Sequence, residues 1–277
     1  MIKHILVPTD GSEQAVCGVK YAVAVARQYG AKVHGLHVID LKLLEGPILR
    51  DVSASLGTAP YANYEGNISL ILEERGKLAL EVCTKLGQEA GVEVSTQNVT
   101  GLVARTILEK SELADLVVMG RSGEHSAWLE GVLGSTTESV VRRSTRPILV
   151  TARETPGHER FLVAYDGSSH AKRALGVAAE VSIGWNTPLD VLVVGSGAKA
   201  ETTLNEARSY LNAHELIIRY VLREGDPSET IVSYAGECKA DLLVMGAYGH
   251  TKVRALVVGS TTAYAMNHAP CPVLLTR

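Results

Sequence analysis

The sequence predicts an α/β protein built from two consecutive copies of one open, doubly wound domain, each a parallel sheet flanked by helices. Three observations lead there: an aliphatic core, a regular alternation of strand-like and helix-like segments, and a recurrence of the first half's motifs in the second. The 277 residues include one Phe, two Trp and ten Tyr while 46% are hydrophobic, so Val, Leu, Ile and Ala must build the interior. Short aliphatic runs suit parallel strands covered on both faces and argue against an antiparallel sandwich with an aromatic core. At about 150 residues per domain the length also allows two.

In the first copy Ile5–Pro8 is an apolar run, a strand. Ser12–Tyr29 has helical spacing with Ser12 as its N-cap, because a serine hydroxyl can accept from the free N–H groups of a first turn. Val33–Ile39 is the next strand. The Gly/Pro/Ala/Ser-containing stretch from Asp40 to Gly66 reads as an extended loop, and Ser69–Ala90 as a long amphipathic helix closed by Gly91. Val92–Val99 is a strand, Ala104–Ser111 a helix, Leu116–Met119 a strand, and Ser135–Arg143 a helix before the last strand, Pro147–Thr151. Five strands alternating with four helices imply right-handed crossovers.

The motifs then recur. Ala114–Gly123 matches Ala240–Gly249 at seven of ten positions. Gly134-Ser-Thr-Thr137 returns as Gly259-Ser-Thr-Thr262, and Val7-Pro-Thr-Asp-Gly-Ser12 as Val163-Ala-Tyr-Asp-Gly-Ser168. Both copies end in a Pro-aliphatic strand, Pro147–Thr151 and Pro272–Thr276. The polar segment 152–159, broken by Pro and Gly, is the seam, so the domains are expected at 1–152 and 159–277.

Composition excludes several classes. A formal charge of −3 provides no field for holding nucleic acid. Cys17, Cys83, Cys238 and Cys271 form no CxxC pair and are too scattered for a disulfide framework, which points to a reducing compartment, the cytoplasm. The chain opens directly on a strand, without an apolar signal region. Its longest uncharged stretch, Ala255–Thr276, contains His, Asn and two prolines and cannot span a membrane.

Ligands of doubly wound sheets sit at the carboxyl ends of the strands. There, in the second copy, strand Leu242–Met245 runs into Gly246-Ala-Tyr-Gly249, and nine residues later Gly259-Ser260 opens a helix. Glycines let the backbone approach a ligand, and a helix start favours an anion, a phosphate above all. The alternative is a tight turn with Ser260 as an ordinary cap. GxxG, nine residues, then Gly-Ser resembles the nucleotide-binding pattern of the universal stress proteins, and nearly the whole chain is similar to a tandem two-domain member.

That resemblance implies strand order 3-2-1-4-5 in each five-stranded sheet. It also implies an ATP-binding, stress-linked regulatory role, with Mg²⁺ usually accompanying the nucleotide. It places Asp166 on the ribose hydroxyls, with Ala164 and the backbone of Val194 beside the adenine. The phosphates would lie among Met245, Gly246, Gly249, His250, Gly259, Ser260, Thr261 and Thr262. A turn-forming Asp before Gly is the plainer account of Asp166, and a solvated basic face that of His250 and Arg254.

The corresponding positions of the first copy are Pro8, Asp10, Val38, Met119, Gly120, Gly123, Gly134, Ser135 and Thr136. Ten residues instead of nine separate Gly123 from Gly134, and Glu124 and Glu130 among them would repel a triphosphate, with Arg121 compensating in part. This weaker site holds a nucleotide, a different ligand or none.

Rival motifs fare worse. Gly195-Ser-Gly197-Ala-Lys-Ala200 satisfies a dinucleotide fingerprint, but Glu215 and Glu224 are both poorly placed for its acid. No GxxxxGK[ST] or GxSxG occurs. His34 and His37 point to opposite faces of a strand, so no metal site is expected. No residue stands out as a general base, so enzymatic activity is at most a weak ATPase. The expected partners are an adenine nucleotide and a second copy of the chain, with neither nucleic acid nor membrane. The alternative is a dimerisation scaffold with vestigial sites, its final strands pairing at the sheet edges.

Overall fold

The computed structural model describes residues 2–45, 61–123, 133–151, 157–247 and 259–277. In chain order the first half contains β1 (His4–Pro8), α1 (Glu13–Tyr29), β2 (Lys32–Asp40), α2 (Leu41–Glu45), α3 (Tyr61–Ala90) and β3 (Val94–Gly101). It closes with α4 (Val103–Ser111), β4 (Leu116–Gly120), α5 (Ser135–Arg143) and β5 (Ile148–Thr151). The second half contains β6 (Phe161–Ala164), α6 (Ser169–Trp185), β7 (Leu189–Val194), α7 (Gly197–Leu211) and β8 (Ile218–Arg223). After these come α8 (Pro227–Glu237), β9 (Leu242–Gly246), α9 (Ser260–His268) and β10 (Val273–Thr276).

The ten strands form one sheet, β3-β2-β1-β4-β5-β10-β9-β6-β7-β8. Each half therefore has the order 3-2-1-4-5, and every neighbouring pair is parallel except β5 and β10, which run antiparallel with Leu149 opposite Leu274. The final strands pair within the chain, and the free edges of the sheet are β3 and β8. Because the halves meet antiparallel, the carboxyl ends of their strands point in opposite directions along the strand axis.

Alternation along the strands sorts the core into two layers. Ile5, Val7, Phe161 and Val163 join the cluster under α1 and α6, and Leu6, Leu162 and Ala164 join the one on the other face. Both layers are overwhelmingly aliphatic, as parallel strands covered on two sides require.

Local signals act as the residue chemistry dictates. Ser12 Oγ accepts from Ala15 N at 3.3 Å, and Ser168 Oγ from Ala171 N at 3.2 Å, at the starts of α1 and α6. Gly91 follows α3 with φ +67°, a left-handed conformation that favours glycine. Two expectations need correction. Leu41–Glu45, within the anticipated extended loop, forms α2, because Leu-Lys-Leu-Leu-Glu consists of strong helix formers. The long helix begins at Tyr61, eight residues before Ser69.

A buried ionic cluster fixes the second half. Asp190, in β7, is 0% exposed. It accepts from Arg160 Nη1 at 2.9 Å, Arg219 Nε at 3.1 Å and the Tyr234 hydroxyl at 2.9 Å. These bonds replace the hydration that a carboxylate loses on burial. The corresponding place on β2 is His34, so this cluster has no counterpart in the first half.

Candidate functional site

At the carboxyl end of β9, Gly246 is the meeting point of two helix starts. A Cβ on Gly246 would lie 2.8 Å from His170 Cβ and 3.0 Å from Ala171 N, in the first turn of α6. From the other side Thr262, in the first turn of α9, donates its hydroxyl to the Gly246 carbonyl at 3.3 Å. The glycine is thus required by the close approach of α6, and the space beside it is filled by that helix. Thr262, 2% exposed, pins α9 to the strand; its hydroxyl proton is committed to backbone carbonyls and not to a phosphate.

Around this junction lie the other residues anticipated from the sequence. Asp166 follows β6, is exposed, and accepts from Ser168 N at 2.9 Å through Oδ1, the turn-forming contact of an Asp before Gly. Gly167 takes φ +76° in that turn. Ala164 ends β6 and Val194 ends β7, on adjacent strands, with Val194 half-buried. Met245 is buried at the end of β9. Gly259 caps α9 with no side-chain hydrogen bond to the first turn, and Ser260 is exposed at the helix start. Thr261 Oγ1 accepts from Ser228 Oγ at 3.5 Å, bringing the start of α8 alongside. Gly249, His250 and Arg254 lie outside the described residues.

Two helix N-termini concentrate positive potential at one point. Neither α6 nor α9 has an acidic residue in its first turn. His170 faces the junction, and burial, together with the Arg173 and Arg277 charges, holds its pKa below the ordinary histidine range against the opposing pull of Asp166. Among the described residues no group of three His, Cys, Asp or Glu side chains could hold a metal ion.

The first half repeats the frame with different chemistry. A Cβ on Gly120 would lie 2.7 Å from Gln14 O in α1, and Thr137 Oγ1 donates to Gly120 O at 3.0 Å. Here, however, α1 carries Glu13 and α5 carries Glu138 in the first turn. Asp10 accepts from Ser12 N at 3.0 Å, and its Oδ2 lies 2.6 Å from where a Cβ on Gly123 would sit, so this carboxylate abuts the glycine-rich loop. Pro8 and Val38 are half-buried at neighbouring strand ends, Met119 is buried, and Gly134, Ser135 and Thr136 begin α5. Gly134 N donates to Arg121 O at 2.9 Å, folding the loop onto the helix start.

Arg121 makes contacts that its sequence neighbours do not suggest. Its guanidinium crosses to the second half, donating to Asn267 O at 3.2 Å and Ala269 O at 2.8 Å, the carbonyls that end α9. Asn267 in turn accepts from Leu133 N at 2.7 Å. A helix C-terminus attracts a cation, and the seam takes this one. Glu124, Trp128 and Glu130 lie outside the described residues. Nothing in the sequence alone indicated Arg121's partners, because they are almost 150 residues away.

Gly195 and Gly197 form the turn from β7 into α7, with Gly197 at φ +68°. Among the described residues no helix is long and apolar enough to cross a membrane.

A family model described as the universal stress protein family matches residues 1–152 and 195–277. A universal stress protein of Synechocystis sp. is 30% identical over 287 residues, covering 100% of both chains. One of Methanocaldococcus jannaschii is 33% identical over 156 residues, covering 55% of this chain and 84% of the relative. Among solved structures, a universal stress protein from Archaeoglobus fulgidus has the same fold with a TM-score of 0.77 at 23% identity, covering 99% of this chain and 96% of that one.

Proposed function

The chain belongs to the universal stress protein family, and on that premise we propose that it is a stress-response regulator that binds ATP in its second half. The observation that carries this reading is the meeting of the α6 and α9 starts at Gly246, neither helix having an acid in its first turn. A triphosphate against the start of α9 meets the N–H groups of Gly259, Ser260 and Thr261 and a favourable helix dipole. Asp166, exposed at the end of β6, accepts from the ribose hydroxyls, and Ala164 and Val194 flank the base. Mg²⁺ arrives on the phosphates, which are its preferred oxygen ligands.

Residues 1–152 and 159–277 are read as two copies of one domain, the second holding nucleotide. The first is a structural partner, its strand-end glycines kept for packing and its Arg121 given to the seam. The nucleotide acts by favouring one arrangement of the surface around its site, so it regulates only through a difference in affinity between two states. Any hydrolysis is slow, the site being built to hold phosphates at a helix start. The chain works in the cytoplasm and pairs with a second copy through a surface other than β5 and β10, which are already paired.

Titration calorimetry on nucleotide-free protein tests the reading. ATP is expected to bind and Gly259→Asp to abolish binding; no heat with ATP at millimolar concentration overturns it.

A further inference from the structure

A cleft of about 310 Å³ lies beneath α1 and α6, over the seam where β5 meets β10. Its floor is the Leu149–Leu274 cross-strand pair. Corresponding positions of the two halves line it: Tyr29 and Trp185 end α1 and α6, and Asp115 and Asp241 precede β4 and β9. It belongs to neither strand-end site.

Its chemistry departs from that of the chain in two ways. Four of the 18 described lining residues, Tyr21, Tyr29, Phe161 and Trp185, are aromatic, and they include the single Phe of a chain that is 5% aromatic. Among the described residues its charged lining, Asp115, Glu180 and Asp241, is all acid, with no Lys, Arg or His. Asp115 Oδ2 accepts from Lys3 N and His4 N, and Asp241 Oδ2 from Glu159 N and Arg160 N, so both carboxylates are held in place by backbone. Burial pushes the Tyr29 phenol up, against the opposing hydrogen bond with Trp185, and the Glu180 charge adds to the rise. Val25, Val177, Val181 and Trp185 remain only half-buried, their apolar faces turned to this one space.

The volume lies at the lower end for small-molecule sites. Aromatic faces and carboxylates both attract a cation, while the aliphatic floor accepts an apolar body. We propose that this cleft binds a small amphipathic amine, an aromatic or branched apolar group carrying a protonated or quaternary nitrogen.

Three isosteric probes test this by titration calorimetry on the full chain: 2-(1-naphthyl)ethylamine, 2-(1-naphthyl)ethanol and 1-naphthaleneacetate. The amine is expected to bind about fivefold more tightly than the alcohol, and the acid not measurably. Glu180→Gln, at an exposed position that leaves the fold intact, should bring the amine down toward the alcohol. Ala24→Trp, which fills the space between the helices, should abolish binding of both. Equal affinities for the three probes, no binding of the amine at millimolar concentration, or binding unchanged in both variants overturns the proposal.

Discussion

Thr262 donates its hydroxyl to the carbonyl of Gly246, tying the start of α9 to the end of the strand that the opposite helix, α6, also meets. Thr137 makes the same bond to Gly120. The recurring Gly-Ser-Thr-Thr segment therefore has a structural member, its last threonine, and an exposed serine ahead of it. Replacing Thr262 by Val should leave the Gly246 carbonyl short of a donor and cost about 1 kcal/mol. Thr262→Ser should be close to wild type. Urea unfolding of the two variants checks this, and equal stabilities would count against the pin.

Gly246→Ala should cost more. The added methyl would press on His170 Cβ at 2.8 Å and on the backbone of α6, where no flexible side chain can give way. Overpacking of this kind costs about 1–3 kcal/mol, and Gly120→Ala should behave alike, since Gln14 O lies 2.7 Å from its new Cβ. Thermal unfolding measures both; a neutral effect at either position would mean that the helix moves away freely.

Asp190→Asn should destabilise the chain by about 2 kcal/mol, leaving two guanidinium groups without their shared carboxylate. The cost falls short of that of a fully buried pair, because Arg160 and Arg219 reach solvent. Tyr234→Phe should cost about 1 kcal/mol, as its phenol, pushed up to about 12 chiefly by burial and then by Asp190, stays protonated and donates at any physiological pH. Denaturant midpoints of the two variants test the order.

His170 makes stability depend on pH. Its pKa is lowered in the folded chain, first by burial and then by Arg173. The unfolded chain thus binds the proton more readily, and folding is favoured by the neutral ring. That contribution is complete above the ordinary histidine pKa, about 6.5, and is lost as pH falls through the lower folded value. His34, also lowered chiefly by burial, acts in the same direction. The melting temperature should fall on acidification across this range, and His170→Gln should reduce the fall. An identical slope in the variant would assign the effect elsewhere.

Much of this was legible from residues. Ser12 as a cap, Gly91 as a stop and the Ser135–Arg143 helix need only local chemistry, and each is found where spacing places it. The 3-2-1-4-5 order came through resemblance to a family. Three features escaped because they depend on distant partners. Asp190 interrupts an aliphatic strand for reasons visible only once Arg160, Arg219 and Tyr234 surround it. Arg121 reads as a local counter-charge to the acids of its loop, and its guanidinium also reaches the far end of α9. Gly246 reads as room for a ligand, while the room is occupied by α6. The residues nearest to the expected phosphates are thus divided between packing and binding, a division that side-chain type alone does not disclose.

The unequal halves are the central claim, and nucleotide stoichiometry tests it most directly. Calorimetric titration of ATP into nucleotide-free protein should give one site per chain. Gly259→Asp, which puts a carboxylate at the start of α9, should remove that site, and Gly134→Asp, at the corresponding start of α5, should leave it intact. Two equivalent sites per chain, or one site lost with Gly134→Asp and retained with Gly259→Asp, would contradict the account.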